Sequence, residues 1–373
     1  MMIQEETTRG NLKCTCGPFP LIEIDISTAL SDDTNKNNIQ AACCSHGCFH
    51  LMVNNGTETN LFLRDDLVTV QRKLESMFSP DNLSKKNCFK SVYRGRLAES
   101  GATIESEING EEPKQSWEYR RCTQMNVSKA VHERNEVDDN MQHFINFLHK
   151  VATILEDYMQ LQPKGSMIVS KPCDCKTETD SECCNHDLLR LFRYDASEDE
   201  FSLGSSPHTD WGTLTIVWQD DVGGLETFCH AHQKWNTVPA LCDSNSMSCR
   251  FFVHVGDFLS LSHGKVPGQS SMRWPSPLHR VVSPPKGKTR FSLVYFLYPR
   301  NDVTLDDAES AFQKEYCDFE PCREDSLLSQ LFVLRDQSSS KTAKLTPLEV
   351  LLDILDKPFA SEVIAAKWKQ VQR

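Results

Sequence analysis

The pattern of hydrophobic and polar positions changes along the chain. Residues 21–26 alternate apolar and acidic side chains, which predicts a half-buried strand. A helix is predicted over 33–46, where Gly47 is a typical terminator. Residues 137–161 carry apolar side chains at helical spacing and predict a second helix. The remaining elements predicted in this half are a strand at 48–53 and a helix at 61–78, whereas 79–135 are charged and irregular.

From residue 188 onward, short apolar segments separated by turn residues predict a β-rich region. The predicted strands lie near 189–194, 212–218, 224–229, 234–238, 250–261, 278–283 and 290–298. Seven or eight strands of this kind suit a double-stranded β-helix (jelly roll), an architecture whose interior can hold a ligand. The fold class expected is therefore mixed α and β, with the N-terminal helices packed outside the jelly roll.

This pattern divides the chain into five parts. They are a flexible N-terminus (1–18), a mostly helical region with short strands (19–165), a Cys-rich insertion (166–187), the jelly-roll core (188–300) and a helical C-terminal extension (301–373).

Composition narrows the class of protein. The 373 residues carry a formal net charge of -12, which argues against nucleic acid or an anionic membrane as a partner. There is no run of 18 or more apolar residues, so no membrane span is expected. The first residues lack the basic and apolar regions of a secretory signal. The 16 cysteines are therefore expected to be reduced thiols in a cytoplasmic protein.

The candidate chemistry begins with His208-Thr209-Asp210. In an extended strand, His208 and Asp210 share one face while Thr209 points to the other. His279 opens a later predicted strand. Two histidines and one carboxylate are the ligand set that leaves part of an iron coordination sphere open for oxygen chemistry.

Arg290 and Ser292 repeat the same i, i+2 spacing and offer a fixed cation and a hydroxyl to a carboxylate. The preceding residues 283–289 are rich in turn formers. They predict a hairpin that brings His279 and Arg290 within a few residue pairs of each other.

Several segments together resemble the iron(II)/2-oxoglutarate oxygenases of the isopenicillin N synthase type. The resemblance runs from about residue 19 to about residue 300 and is specific in combination. The segments that carry it are 19–25, 41–49, 93–95, 190–194, 207–215, 219–225, 255–259 and 276–282.

The resemblance implies an oxidoreductase that uses iron(II), 2-oxoglutarate and O2, oxidises a small organic substrate, and releases succinate and CO2. The implied iron ligands, also the catalytic residues, are His208, Asp210 and His279. The implied 2-oxoglutarate contacts are Arg290, Ser292 and Tyr194. Trp211 and Arg94 are candidate substrate contacts. The oligomeric state and the substrate are left open.

This sequence departs from the family at two points, and two alternatives stay open. Phe192 stands where many plant members carry Asn, and the separation of His208 from His279 is longer than usual. One alternative is an oxidase of the isopenicillin N synthase type, which retains Arg-x-Ser but uses no keto acid. The other is a non-catalytic jelly-roll binding module, whose mark would be a lost ligand; no ligand is lost.

Three other clusters of metal-capable residues are interpreted structurally. Residues 229–232 (Cys-His-Ala-His) fall where a hairpin turn is expected. The cysteines of 173–184 fit no standard zinc spacing and predict a surface insertion. The cysteines of 43–48 are expected to be buried as small apolar residues.

Overall fold

A computed structural model describes residues 19–25, 33–54, 78, 114–120, 136–159, 187–197, 202–210, 212–229, 232–240, 249–256, 259–260 and 274–297. Its elements, in chain order, are β1 (Leu21–Asp25), α1 (Asp33–His46), β2 (Cys48–Asn54), β3 (Lys114–Arg120), α2 (Glu136–Met159), β4 (Leu188–Asp195), β5 (Leu203–His208), β6 (Leu214–Gln219), β7 (Leu225–Cys229), β8 (Lys234–Thr237), β9 (Cys249–Val255), β10 (His279–Val282) and β11 (Thr289–Leu297).

The strands form two sheets. The larger has seven strands in the order β1-β2-β9-β6-β11-β4-β3, and the smaller has four in the order β5-β10-β7-β8. Within them only β1 and β2 pair in parallel; the other pairs are antiparallel. A seven-stranded and a four-stranded sheet around a shared interior agree with the predicted jelly-roll core.

The helices pack on one face of the seven-stranded sheet. Phe144, Leu148 and Leu155 of α2 belong to the same buried apolar cluster as Leu293 and Tyr295 of β11. Helix α1 ends at His46 as predicted, because Gly47 has φ +66° and its N–H donates to the Cys43 carbonyl. Within the described ranges, no helix is long and apolar enough to cross a membrane.

The predicted hairpin between residues 278–283 and 290–298 is wrong. Strand β10 pairs with β5 and β7, whereas β11 pairs with β4 and β6 in the other sheet. The turn itself is present: Gly287 has φ +79° and the Lys288 N–H donates to the Pro285 carbonyl at 2.9 Å. Turn residues reverse the chain, but they do not decide which strand the next segment pairs with. The chain uses this turn to cross between sheets.

Three smaller expectations also change. Region 79–135 contains strand β3, although its sequence is charged, because β4 supplies a complete row of backbone partners. Strand β5 was not predicted, since its residues are mostly small and polar. Strand β9 ends at Val255 instead of continuing to 261, and the Gly256 N–H donates instead to the Thr213 carbonyl. Residues 61–77 of the helix predicted over 61–78, residues 166–186 of the Cys-rich insertion predicted over 166–187, and the C-terminal extension lie outside the described residues.

Candidate active site

The structure brings His208, Asp210 and His279 together. One potential ligand atom from each of them lies within 4.8 Å of the others. The Nε2 atoms of His208 and His279 are each 3.7 Å from Oδ1 of Asp210. Two atoms that each lie about 2.1 Å from one ion are at most about 4.2 Å apart, so these pairs fit a shared metal.

Strand pairing places the two histidines opposite each other. His208 is the last residue of β5, and its partner across the antiparallel ladder is His279, the first residue of β10. Their ring centroids are 4.2 Å apart. Asp210 lies just beyond the end of β5, so the expectation that His208 and Asp210 share one strand is wrong. Their potential ligand atoms nevertheless lie 3.7 Å apart.

The second carboxylate oxygen of Asp210, Oδ2, faces Thr215 and His254. The hydroxyl of Thr215 donates to Oδ2 at 2.5 Å, and Nε2 of His254 lies 3.4 Å from the same oxygen. Burial alone would raise the pKa of Asp210, but His279, His254, His208 and the Thr215 hydrogen bond together lower it below its ordinary value. The carboxylate is therefore ionised, with Oδ1 turned toward the two histidines.

His279 is held in one tautomer. Its Nδ1 lies 3.1 Å from the Pro277 carbonyl, which can only accept a hydrogen bond. Nδ1 therefore carries the proton, and the lone pair of Nε2 points toward Asp210. This is the arrangement that prepares an imidazole to bind a metal.

Arg290 is buried at the other side of the interior, 1% exposed. Its Nε donates to the Gly223 carbonyl at 2.5 Å, its Nη1 to the Ser292 hydroxyl at 3.1 Å, and its Nη2 to the Gln219 side chain at 3.3 Å. Gly223 has φ +71°, a region that favours glycine. Any other residue at this position would strain the turn that carries the carbonyl. The contacts of Arg290 engage three of the five guanidinium N–H groups.

Tyr194 and Asp220 complete the surroundings of this cation. The guanidinium carbon of Arg290 is 4.8 Å from the Tyr194 ring centroid, and the two residues are register partners in β11 and β4. Burial lowers the pKa of Arg290, while Tyr194 and Asp220 act in the opposite direction. Asp220 is fixed in turn by the Phe291 N–H at 2.6 Å.

A cavity of about 160 Å³ joins the two groups, and His208, Asp210, His279, Arg290, Ser292 and Tyr194 all line it. Trp211 and Arg94 lie outside the described residues. The 229–232 segment connects β7 to β8, as expected for a hairpin, and Cys43 and Cys48 are buried free thiols. The site therefore combines three residues that could ligate a metal with a separate cation in one cavity.

Sequence reasoning missed three residues that line or support this cavity. His254 is a polar residue at a cavity-facing position of an apolar strand, and that break in the apolar run is a signal that could have identified it. Thr215 carries the same signal in β6. Lys114 also lines the cavity, but it carries no such signal in the sequence, because it lies among other charged residues.

Comparison with known proteins gives the class. Residues 185–299 match the model of the 2OG-Fe(II) oxygenase superfamily. Gibberellin 20 oxidase 1 of Arabidopsis thaliana is 27% identical over 312 residues, which cover 79% of this chain and 75% of that protein. A 1-aminocyclopropane-1-carboxylate oxidase of Dictyostelium discoideum is 35% identical over 97 residues, 26% of this chain and 23% of that protein.

Solved structures agree on the fold. T7H of Neurospora crassa in complex with alpha-KG superposes with a TM-score of 0.52 at 20% identity, covering 76% of this chain and 86% of that one. The 2-oxoglutarate complex of the dioxygenase for auxin oxidation 1 from Arabidopsis thaliana gives a TM-score of 0.53 at 18% identity, covering 76% and 94%. The chain thus carries a domain of the 2OG-Fe(II) oxygenase superfamily, and it is a 2-oxoglutarate- and iron(II)-dependent dioxygenase.

Proposed function

We propose that His208, Asp210 and His279 hold iron(II), and that Arg290, Ser292 and Tyr194 hold the distal carboxylate of 2-oxoglutarate, so that the protein hydroxylates or otherwise oxidises a C–H bond of a small organic substrate. The observation that carries this proposal is the convergence of the three ligand-capable side chains in the cavity that also contains Arg290.

Iron(II) held by His208, Asp210 and His279 would supply activation of dioxygen, coupled to oxidative decarboxylation of 2-oxoglutarate to succinate and CO2. The chain's own contribution is positioning. The Thr215 hydroxyl restrains the outer oxygen of Asp210, and the Pro277 carbonyl sets the tautomer of His279. Arg290 is always charged, and its planar guanidinium matches a carboxylate with two parallel hydrogen bonds. Apolar cavity walls such as Val217 and Val294 limit water at the site.

The direct test uses the full-length protein with iron(II). We expect conversion of 2-oxoglutarate to succinate, and loss of this turnover in His208→Ala. Undiminished turnover in that variant would contradict the ligand assignment. Loss of bound iron in a metal analysis of the same variant would connect the lost turnover to the metal site.

Anaerobic titration tests the keto-acid assignment separately. Chelation of 2-oxoglutarate to iron(II) gives a visible charge-transfer band, so we expect this band in the wild type. Its absence, together with oxygen consumption that needs no keto acid, would favour the oxidase of isopenicillin N synthase type. Absence of bound metal after expression with ample iron would favour a non-catalytic module.

The finer assignments are proposals of the same kind. Relatives and neighbours carry names that refer to gibberellin, auxin and jasmonate ("JA"), and we propose a small-molecule substrate here as well. Trp211 and Arg94 as substrate contacts, the five-part division of the chain and a cytoplasmic location stay predictions. Screening small metabolites for stimulated succinate release tests the substrate, and limited proteolysis tests the divisions.

A further inference from the structure

Besides Arg290, two more basic side chains line the cavity. Lys114 of β3 is 7% exposed, and Arg190 of β4 is half-buried; both line the cavity. The Lys114 ammonium lies 5.9 Å from the centroid of the Phe192 ring, and the Arg190 guanidinium carbon lies 5.7 Å from it. One aromatic ring therefore has two cationic groups within 6 Å.

Strand register separates Arg190 from the 2-oxoglutarate end, whereas Lys114 lies in the same row as Arg290, two strands away. Arg290, Tyr194 and Lys114 form one row across β11, β4 and β3. Arg190 lies four residues before Tyr194 on β4, which places it about 13 Å further along the strand at about 3.3 Å per residue. The Lys114 ammonium also donates to the Ser205 hydroxyl of β5 at 3.3 Å, so it bridges toward the other sheet.

Basic side chains outnumber carboxylates among the described residues that line the cavity. In the part of the chain that the structure describes, the lining contains three permanently basic side chains and a single carboxylate, Asp210. Iron(II) would add two positive charges and 2-oxoglutarate two negative ones, which leaves the excess of two positive charges unchanged. A cavity with this residual charge favours an anion as its remaining occupant.

The walls around the two cations are apolar. Phe192, Val294 and Phe296 line the cavity on this side, and the Arg190 guanidinium carbon is 5.9 Å from the Phe296 ring centroid. An occupant of this region needs an anionic group for the cations and a hydrocarbon or aromatic body for the walls. A carboxylate accepts charge-assisted hydrogen bonds from an ammonium and from a guanidinium group.

We propose that Lys114 and Arg190 form a second anion-binding subsite, distinct from Arg290 and Ser292, which binds the carboxylate of an apolar organic acid as the primary substrate. This rests on the proposed function, because it assigns the Arg290 end of the cavity to 2-oxoglutarate. It narrows the substrate from small molecules in general to organic acids.

The test measures binding to the full-length protein loaded anaerobically with iron(II) and saturating 2-oxoglutarate. A panel of apolar acids, including phenylacetate and 4-phenylbutyrate, is titrated by calorimetry beside the matched neutral amides. We expect at least one acid to bind about tenfold or more tightly than its amide. The charge-transfer band is followed in the same samples, and its persistence shows that the acid has not displaced 2-oxoglutarate.

Two variants locate the preference. Lys114→Met should reduce the acid-over-amide ratio about tenfold or more, and Arg190→Gln should reduce it in the same direction. Lys286→Met is the matched control, because Lys286 is exposed on the turn between β10 and β11 and its loss changes the net charge equally. The control should keep the wild-type ratio.

Three outcomes would overturn the proposal while leaving the proposed function intact. They are equal binding of acids and amides to the wild type, no binding of any acid, and a Lys114→Met protein that needs more 2-oxoglutarate but keeps its acid preference. The last result would assign Lys114 to the keto-acid site. Absence of the charge-transfer band in the wild type is a separate result, which would contradict the proposed function itself. The wild-type comparison needs no variant, so misfolding of Lys114→Met would not remove the test.

Discussion

One face of the seven-stranded sheet buries an apolar cluster, whereas the other buries polar and charged side chains beside apolar ones. On the face toward α1 and α2, β11 contributes Phe291, Leu293, Tyr295 and Leu297 to the large apolar cluster. On the face toward the four-stranded sheet, the intervening residues of the same strand are Arg290, Ser292, Val294 and Phe296, and all four line the cavity. Because side chains alternate along a strand, one segment contributes both to stability and to the site.

Strands β4 and β9 repeat this division. Leu189 and Leu191 of β4 join the helix-facing cluster, whereas Arg190 and Tyr194 line the cavity. In β9 the cavity-facing polar residue is His254. The comparison indicates that substitutions on the helix-facing side should change the free energy of unfolding, whereas those on the cavity side should change ligand binding.

The largest expected effect is on the helix-facing side. Leu293→Ala should lower the free energy of unfolding by about 2–5 kcal/mol, because Leu293 is 1% exposed and its truncation leaves a void between sheet and helices. Urea denaturation measures this loss. Val294→Ala, one residue along on the cavity side, should cost less, since the removed atoms border an existing cavity. Equal losses would contradict the division between the two faces.

On the cavity side, Arg290→Lys should raise the 2-oxoglutarate requirement about tenfold to a hundredfold and leave iron(II) affinity nearly unchanged. A point charge cannot reproduce the planar pair of hydrogen bonds. Succinate release at varied 2-oxoglutarate gives the requirement. Arg193→Lys is a control on the same sheet, since Arg193 pairs with Asp195 and does not line the cavity. An unchanged requirement in Arg290→Lys would show that another group holds the distal carboxylate.

Thr215→Val should weaken iron(II) binding by about tenfold, because it removes the hydroxyl that donates to the outer oxygen of Asp210. Anaerobic iron titration measures the change. Thr213→Val removes a comparable buried hydroxyl, which donates to the Leu297 carbonyl at 3.1 Å, and should not change iron affinity. Equal effects of the two variants would indicate a general loss of packing.

The smallest expected effect concerns pH. Burial, and then Arg250, lower the pKa of His50 to about 4. The unfolded chain therefore binds more protons than the folded protein between about pH 4 and 6.5. Because of this difference, His50 lowers the free energy of unfolding as the pH falls through this range. Above about pH 6.5 His50 is neutral in both states and has no such effect.

His50→Phe keeps the aromatic contacts to Phe19 and Phe252 but removes the titrating group. When the pH is lowered from 7 to 5, the free energy of unfolding of the variant should fall by about 1 kcal/mol less than that of the wild type. An identical loss would mean that His50 does not contribute to the pH dependence.

Local sequence patterns predicted several secondary-structure elements and the residues of the candidate site. The C-terminal end of α1 follows from Gly47, and the strand character of β11 from its apolar run. The ligand-capable residues His208, Asp210 and His279, and the cation Arg290, follow from residue type and spacing, because metal and carboxylate chemistry require those side chains. All four line one cavity in the structure.

The pairing of the strands could not be predicted from local sequence patterns. The turn at 283–289 predicts a reversal, yet β10 and β11 belong to different sheets, since backbone hydrogen bonds to distant strands decide the pairing. The same long-range pairing recruits β3, and with it Lys114, from a charged segment with no local signal. The chemistry of a side chain follows from its residue type, whereas its neighbours depend on pairing between distant segments. Strand β3 pairs with β4 at separations of 68 to 80 residues, and β4 pairs with β11 at separations of 94 to 108 residues.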